Sequence, residues 1–291
     1  KLGLIGALNS INKIQHPTAR IYTAKQRILY RLGTERFANN DLKKAADYFT
    51  QATLLGNYDR EAKADAYLWL AECLYREGNY AEAVKNDRLY LQTTATADPL
   101  AYYNLGYGYF KQHDFGEAQT QFAHYIKTET PNDAHLPRIA DACTRLADCL
   151  YGQRRFADAG SAYDKAVALY PATGDYALFQ KGFMAGLQKK YAEKTAIMQE
   201  LRQRYPQSDY VDDAWLEEGL AHVVLQDGKA AACFTALLEK YPDQETARKA
   251  GVQLGMFYYN SQQPQKAIAT YKSVIADYPG TEAVSYTHLT L

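Results

Sequence analysis

Residues 254–279 read LGMFYYNSQQPQKAIATYKSVIADYP, and their spacing decides the fold. Gly255 and Ala267 are small, which lets two helices of a hairpin approach closely. Leu254, Tyr258 and Tyr271 are large and fall where they fill the space between those helices. Pro279 cannot continue a helix and closes the second one. The same landmarks, a Leu-Gly or Leu-Ala step, an aromatic, a later Ala and a further aromatic, recur along the chain.

The first hairpin carries Leu32-Gly33, Phe37, Ala45, Phe49 and Ala52. The second carries Leu70-Ala71, Tyr75, the turn Gly78-Asn79-Tyr80 and Ala83. The third carries Leu105-Gly106, Tyr109, Phe115, Ala118, Phe122 and Pro131, and the fourth Leu146-Ala147, Tyr151, Phe156, Ala159, Tyr163 and Pro171. The fifth keeps Gly182, Tyr191 and Pro206 but places Lys181 at the Leu position and Lys194 at the small one. In the sixth, Trp215, Gly219, Leu238 and Pro242 remain, the turn Gln226-Asp227-Gly228 is one residue short, and either Ala230 or Ala231 takes the small position. The landmark positions 32, 70, 105, 146, 181, 218 and 254 exceed a period of 34 by varying amounts. The excess is expected in the loops 57–61, 93–99, 131–137 and 172–175.

The expected organisation is therefore an array over 19–283, with repeats at 19–56, 61–93, 98–130, 136–171, 175–206, 209–242 and 245–279. Residues 1–15 carry a helical stripe at Leu4, Leu8, Ile11 and Ile14 and are expected to be the second helix of a truncated preceding repeat. His16-Pro17 breaks that helix, and Thr18 is expected to cap the next. A capping helix is expected after the seventh repeat. The tail does not supply one: it is rich in Thr, and residues 284–291 look like translated vector sequence and are set aside. Ordering about 34 residues costs roughly 50 kcal/mol, which requires burying on the order of 2,000 Å² of apolar surface. A lone hairpin cannot hide that much, so the hairpins must stack. The predicted class is all-α, a right-handed α-solenoid with a concave and a convex side.

Composition excludes several functions. Lysine plus arginine and aspartate plus glutamate both number 33, so bulk charge draws the chain neither to nucleic acid nor to an acidic membrane. No run of eighteen apolar residues exists, so no transmembrane helix is expected. The chain begins at Lys1 and is expected to be part of something longer. Cys73, Cys143, Cys149 and Cys233 form no Cys-x-x-Cys pair and have no His at ligand spacing, which points to core packing and to no metal or cofactor. The histidines are scattered, the acidic pairs Asp212-Asp213 and Glu217-Glu218 are read as beginning a helix, and no nucleophile-elbow, phosphate-loop or zinc-protease motif is present. No enzymatic activity is expected.

Residues 1–283 resemble the tetratricopeptide repeat family, and more closely the large multi-repeat proteins of Bacteroidetes-type bacteria, through segments such as Asp175–Phe183, Arg204–Tyr210 and Asp277–Glu282. The Tyr-Pro-x-Ser/Thr closings are also similar to those of envelope proteins associated with Tol-Pal and with outer-membrane assembly. That resemblance implies a scaffold that binds a protein or peptide and faces the periplasm or cell envelope, the cytoplasm being the alternative. It also implies that first helices line the groove at positions two before, two after and five after the Leu. Ten of those 21 positions are aromatic: Tyr30, Phe37, Tyr75, Tyr103, Tyr107, Phe110, Tyr151, Phe179, Phe183 and Tyr259. Asp148 and Leu216 occupy two of the others. Exposed rings with polar rims suit recognition, although the ring five after the Leu can equally pack on the next repeat. An extended or helical peptide over repeats three to five is expected. The alternatives are a glycan or peptidoglycan ligand stacked on these rings, and the regulatory arm of a larger enzyme. The carboxylate-gripping chaperone-tail mode is excluded, because no repeat has Lys two before the Leu and Asn two after it.

Overall fold

A computed structural model describes residues 2–279. Among the described residues there are fifteen α-helices, one short 3-10 turn and no strand. The chain divides into two compact units, one spanning Lys1–His135 and the other beginning at Leu136. In the first, α1 (Leu2–Asn12) packs on α2 (Ala19–Ala38), which pairs with α3 (Leu42–Leu54). Next come the pairs α4 (Arg60–Arg76) with α5 (Tyr80–Thr93) and α6 (Leu100–Lys111) with α7 (Phe115–Thr128). In the second unit the pairs are α8 (Leu136–Gly152) with α9 (Phe156–Leu169) and α10 (Asp175–Leu187) with α11 (Tyr191–Arg204). They are followed by α12 (Val211–Leu225) with α13 (Ala230–Lys240) and α14 (Glu245–Asn260) with α15 (Pro264–Asp277). Within each unit every second helix also packs on the first helix of the next pair, which defines a stack of helix pairs, the α-solenoid class. The expected cap after the seventh hairpin and the tail 284–291 lie outside the described residues.

One contact recurs from hairpin to hairpin. Phe49 lies so close to Gly33 that a β-carbon on the glycine would sit 2.5 Å from the ring. Phe122 stands the same way against Gly106, Phe234 against Gly219 and Tyr271 against Gly255. Each ring lies four residues after the small Ala, and Phe49, Phe122 and Phe234 are fully buried. The fifth hairpin uses Met198 on Gly182. The turns that set up these contacts are uniform. Asn40, His113, Arg154, Lys189 and Gln262 adopt left-handed φ between 58° and 62°, and the amide after each returns to a carbonyl at the end of the first helix, as Asp41 N does to Arg36 O at 3.0 Å. Asp41 and Asp114 then cap the second helices by accepting from Lys44 N and Glu117 N. Thr18 does not cap α2 with its side chain; its carbonyl takes the first helical amides.

The irregular hairpins resolve as follows. Ala230, not Ala231, takes the small position, since Ala230 is fully buried and Phe234 follows it by four. The short turn uses two left-handed residues, Gln226 at 53° and Gly228 at 80°. Lys181 at the Leu position reaches Asp164 at 2.5 Å. Lys194 is buried, bonds Glu217 and lies over the Phe183 ring. Glu217 and Glu218 do not begin a helix. They lie in the middle of α12, and Glu218 is buried in the sixth Leu position. Its carboxylate accepts from Gln199 and Arg202, and Arg202 lies flat over Trp215.

Tyr-Pro closings latch neighbouring hairpins in the second unit. Tyr205 Oη donates to Pro171 O and Tyr278 Oη to Pro242 O, both at 2.6 Å. Beside them Ser208 donates to Asp175 at 2.7 Å and Thr246 to Asp212 at 2.6 Å. In urea unfolding, Phe49→Ala should cost about 3–5 kcal/mol by emptying a sealed contact. Glu218→Ala should cost about 3–5 kcal/mol by stranding Arg202, whereas Tyr205→Phe should cost only about 1 kcal/mol.

Candidate functional site

None of the ten groove candidates is buried: eight are half-buried, and Tyr151 and Tyr259 are 41% and 50% exposed. Their neighbours differ. Phe37 packs edge-on against Trp69 of the next hairpin, with Arg76 above its other side. Tyr30 leans on Phe49. Phe110 and Tyr151 turn toward Phe115 and Phe156 in their own hairpins. Phe179 stacks on Tyr210 at 5.3 Å, and Phe183 lies beneath the Lys194 ammonium. Two expected groove positions are not open. Leu216 is buried in the core. Asp148 is buried because Tyr163 and Tyr176 donate to it, at 2.5 and 3.0 Å, and Arg145 pairs with it.

The structure brings Tyr75, Tyr103 and Tyr107 together in the first unit. Tyr107 lies 5.1 Å from Tyr103 and 6.4 Å from Tyr75, centroid to centroid. With Ala71, Glu72, Asn104 and Asp87 they line a cavity of about 240 Å³. The mouth is formed by half-buried residues of α4 and α6, while Asp87 of α5 lies at the base with 3% of its surface exposed. Its Oδ1 has no hydrogen-bond partner. Burial, reinforced by the Glu72 carboxylate, pushes the Asp87 carboxyl well above the usual range. Glu72 is itself paired with Arg76 at 2.7 Å.

The origin of the cavity is legible in the hairpin pattern. Asp87 follows the small Ala83 by four, the position that holds Phe49, Phe122, Tyr163, Phe234 and Tyr271 elsewhere. Where those hairpins carry a filling side chain, the second has a short acid, and an open space remains beside Ala71. No landmark of the second hairpin falls on Asp87; lining up the Ala-plus-four positions of all seven reveals it.

A second polar group was also not anticipated. Glu218, His222 and Cys233 bring their donor atoms within 4.8 Å of one another, all buried. His222 Nδ1 pairs with Asp227 Oδ2 at 2.8 Å. The Glu218 oxygens are already taken by Gln199 and Arg202, and burial pushes the Cys233 thiol up to about 12. The group reads as the ion network that replaces a core leucine. The other three cysteines are likewise free and buried.

Helix pairs of this kind, packed through a small-on-large contact and repeated at near-constant spacing, define a repeat protein built for interaction. A tetratricopeptide repeat model matches residues 30–100 and 103–172, and a second model of the same description matches 176–208 and 249–281. The chain belongs to the tetratricopeptide repeat family. The second model leaves out 209–248, the hairpin in which Glu218 stands for Leu and the turn is short. Among solved structures, the C-terminal part of a TPR repeat-containing protein from Cytophaga hutchinsonii is similar at a TM-score of 0.69 and 19% identity, over 88% of this chain and 98% of that one. A tetratricopeptide repeat protein from Parabacteroides merdae matches at 0.57 and 14%, over 90% and 96%. YrrB, described as a TPR protein with an unusual peptide-binding site, matches at 0.56 and 21%, over 70% and 98%. The chain thus resembles Bacteroidetes tetratricopeptide proteins, and at these identities the likeness is one of fold. No curated protein matches the sequence.

The carboxyl of Asp87 faces Glu72 of α4, itself paired with Arg76, and the tyrosines of α4 and α6. The folded chain holds the Asp87 proton at a pH where the unfolded chain releases it. Stability should therefore fall as pH rises from the ordinary carboxylate value, about 3.9, through the raised folded one. Asp87→Asn lacks that slope. Urea midpoints of the two proteins should coincide near about pH 4 and diverge toward about pH 8, with the Asn variant the more stable.

Proposed function

We propose that the chain is a non-catalytic scaffold whose first-helix face binds a protein or peptide partner, and that it serves assembly at the cell envelope. The observation that carries the binding reading is the tyrosine-walled cavity between α4 and α6, open at its mouth and unfilled by the chain's own side chains. Tetratricopeptide arrays are in general interaction scaffolds, and YrrB, of the same fold, is described with a peptide-binding site. Among the described residues no helix is long and apolar enough to cross a membrane. The envelope placement rests on the resemblance of the Tyr-Pro-x-Ser/Thr closings, such as Tyr205-Pro206-Gln207-Ser208, to those of envelope proteins.

The test is photo-crosslinking from position 104, between the two tyrosines, in the organism that makes the protein, followed by affinity measurement with the captured peptide. Tyr103→Ala with Tyr107→Ala should weaken that peptide by about tenfold or more, as loss of aromatic anchors does. Undiminished affinity removes the reading. A glycan array that gives binding where peptides give none would replace it with the carbohydrate alternative. Recovery of the native protein in the cytoplasmic fraction would overturn the envelope placement alone.

A further inference from the structure

The second hairpin departs from its neighbours at one point, and the departure has a chemical sense. Five other hairpins carry Phe or Tyr at the position of Asp87, and the fifth carries Met198. An acid there does two things at once. It leaves about 240 Å³ open beside Ala71, and it puts a carboxylate oxygen without a partner at the bottom of that space. A buried acceptor with no partner is a penalty to folding, so the hairpin is less stable for it unless something else supplies the missing donor.

The surroundings select that donor. The walls are ring systems, Tyr75 from α4 with Tyr103 and Tyr107 from α6, and ring faces attract cations. A second carboxylate, Glu72, also lines the cavity, and its partner Arg76 lies over the Phe37 ring. Two acids and three tyrosines around one cavity give apolar sides and, at the bottom, an acid that keeps its proton while the space is empty and can give it up to face an entering cation. That combination fits a compact ammonium on a flexible aliphatic stem, which can aim its three donors at one carboxylate while its methylenes lie along the rings. It does not fit an anion, and a neutral apolar group would leave the Asp87 oxygen unpaired.

We propose that this cavity is the receptor for a lysine side chain of the protein partner, with Asp87 as its counter-ion, Tyr75, Tyr103 and Tyr107 as its walls, and Glu72 drawing the cation to the mouth. This rests on the peptide-binding reading above and names the residue recognised. A charge-assisted bond formed out of water is among the stronger polar contacts available to a groove. What sets this hairpin apart is the acid at the position where the other six carry Phe, Tyr or Met.

The experiment uses the whole chain and two small probes, Nα-acetyl-lysine methylamide and its norleucine counterpart, which lacks the ammonium. Binding is followed by NMR on ring-labelled tyrosine. The lysine probe should shift the Tyr75, Tyr103 and Tyr107 signals saturably, and the norleucine probe should bind at least about tenfold more weakly, the equivalent of about 1.4 kcal/mol. Asp87→Asn should remove about the same factor, and Asp87→Leu, which refills the space, should abolish the shifts. Thermal melts are the control that both variants are folded. Equal binding of the two probes, or an Asp87→Asn protein that holds the lysine probe as tightly as wild type, overturns the proposal. A captured peptide that depends on Tyr103 and Tyr107 but not on its lysines would do so too, while leaving the scaffold reading intact.

Discussion

The contact between a large side chain on the second helix and a small residue on the first is what the rest of the array depends on. Phe49 on Gly33, Phe122 on Gly106, Phe234 on Gly219 and Tyr271 on Gly255 are the same event repeated. A glycine in mid-helix costs about 1 kcal/mol relative to alanine, and a left-handed non-glycine at the turn costs a further 1–2 kcal/mol or so. Both are offset because the ring removes its whole surface from water once the helices meet at that depth. The helix spacing is then fixed by ring thickness, and the first helix turns its remaining side chains away from its partner. The exposed face of α2 and α6 is a consequence of the seal behind it.

That dependence explains why so much of the fold was legible. Glycine, alanine and aromatic residues at fixed offsets each answer one geometric demand, so their spacing alone gives hairpins, turns and helix order. Ala230 at the small position of the sixth hairpin could not be chosen over Ala231 from the sequence, because the short turn shifts the register by one and both candidates are alanine. The structure decides it through Phe234, the ring that must follow by four. The polar groups were less legible. Asp148 looks like a groove residue by offset, yet its carboxylate is closed by Tyr163 from α9 and Tyr176 from α10. Those partners come from two other helices, and offset along one helix does not carry that information.

The same limit applies to Glu218. In sequence it belongs to an acidic pair that suits a helix start; in space it is a buried substitute for leucine, satisfied by Gln199 and Arg202 of the preceding hairpin. Lys194 and Glu217 make a second pair across the same two helices, α11 and α12. The fifth and sixth hairpins thus share ions where other neighbours share apolar surface. Such pairs contribute less net stability than the apolar contacts they replace, since desolvation cancels much of the attraction, but they are intolerant of being broken. They make the fit between these two hairpins specific.

Asp87 is the case where no partner arrives. A stacked array distributes stability over many similar interfaces, so one hairpin can forgo its central contact while its neighbours hold it in place. In a globular core of comparable size the same substitution would fall on the only core there is. Here α4 and α5 remain fastened by Ala83, Cys73 and Tyr90, and α6 closes the layer from the other side. The array can therefore turn one sealed contact into an open one without losing the hairpin, and the side chain left at the bottom determines what can enter. The identical geometry that makes the repeats predictable is what makes a single departure from it informative.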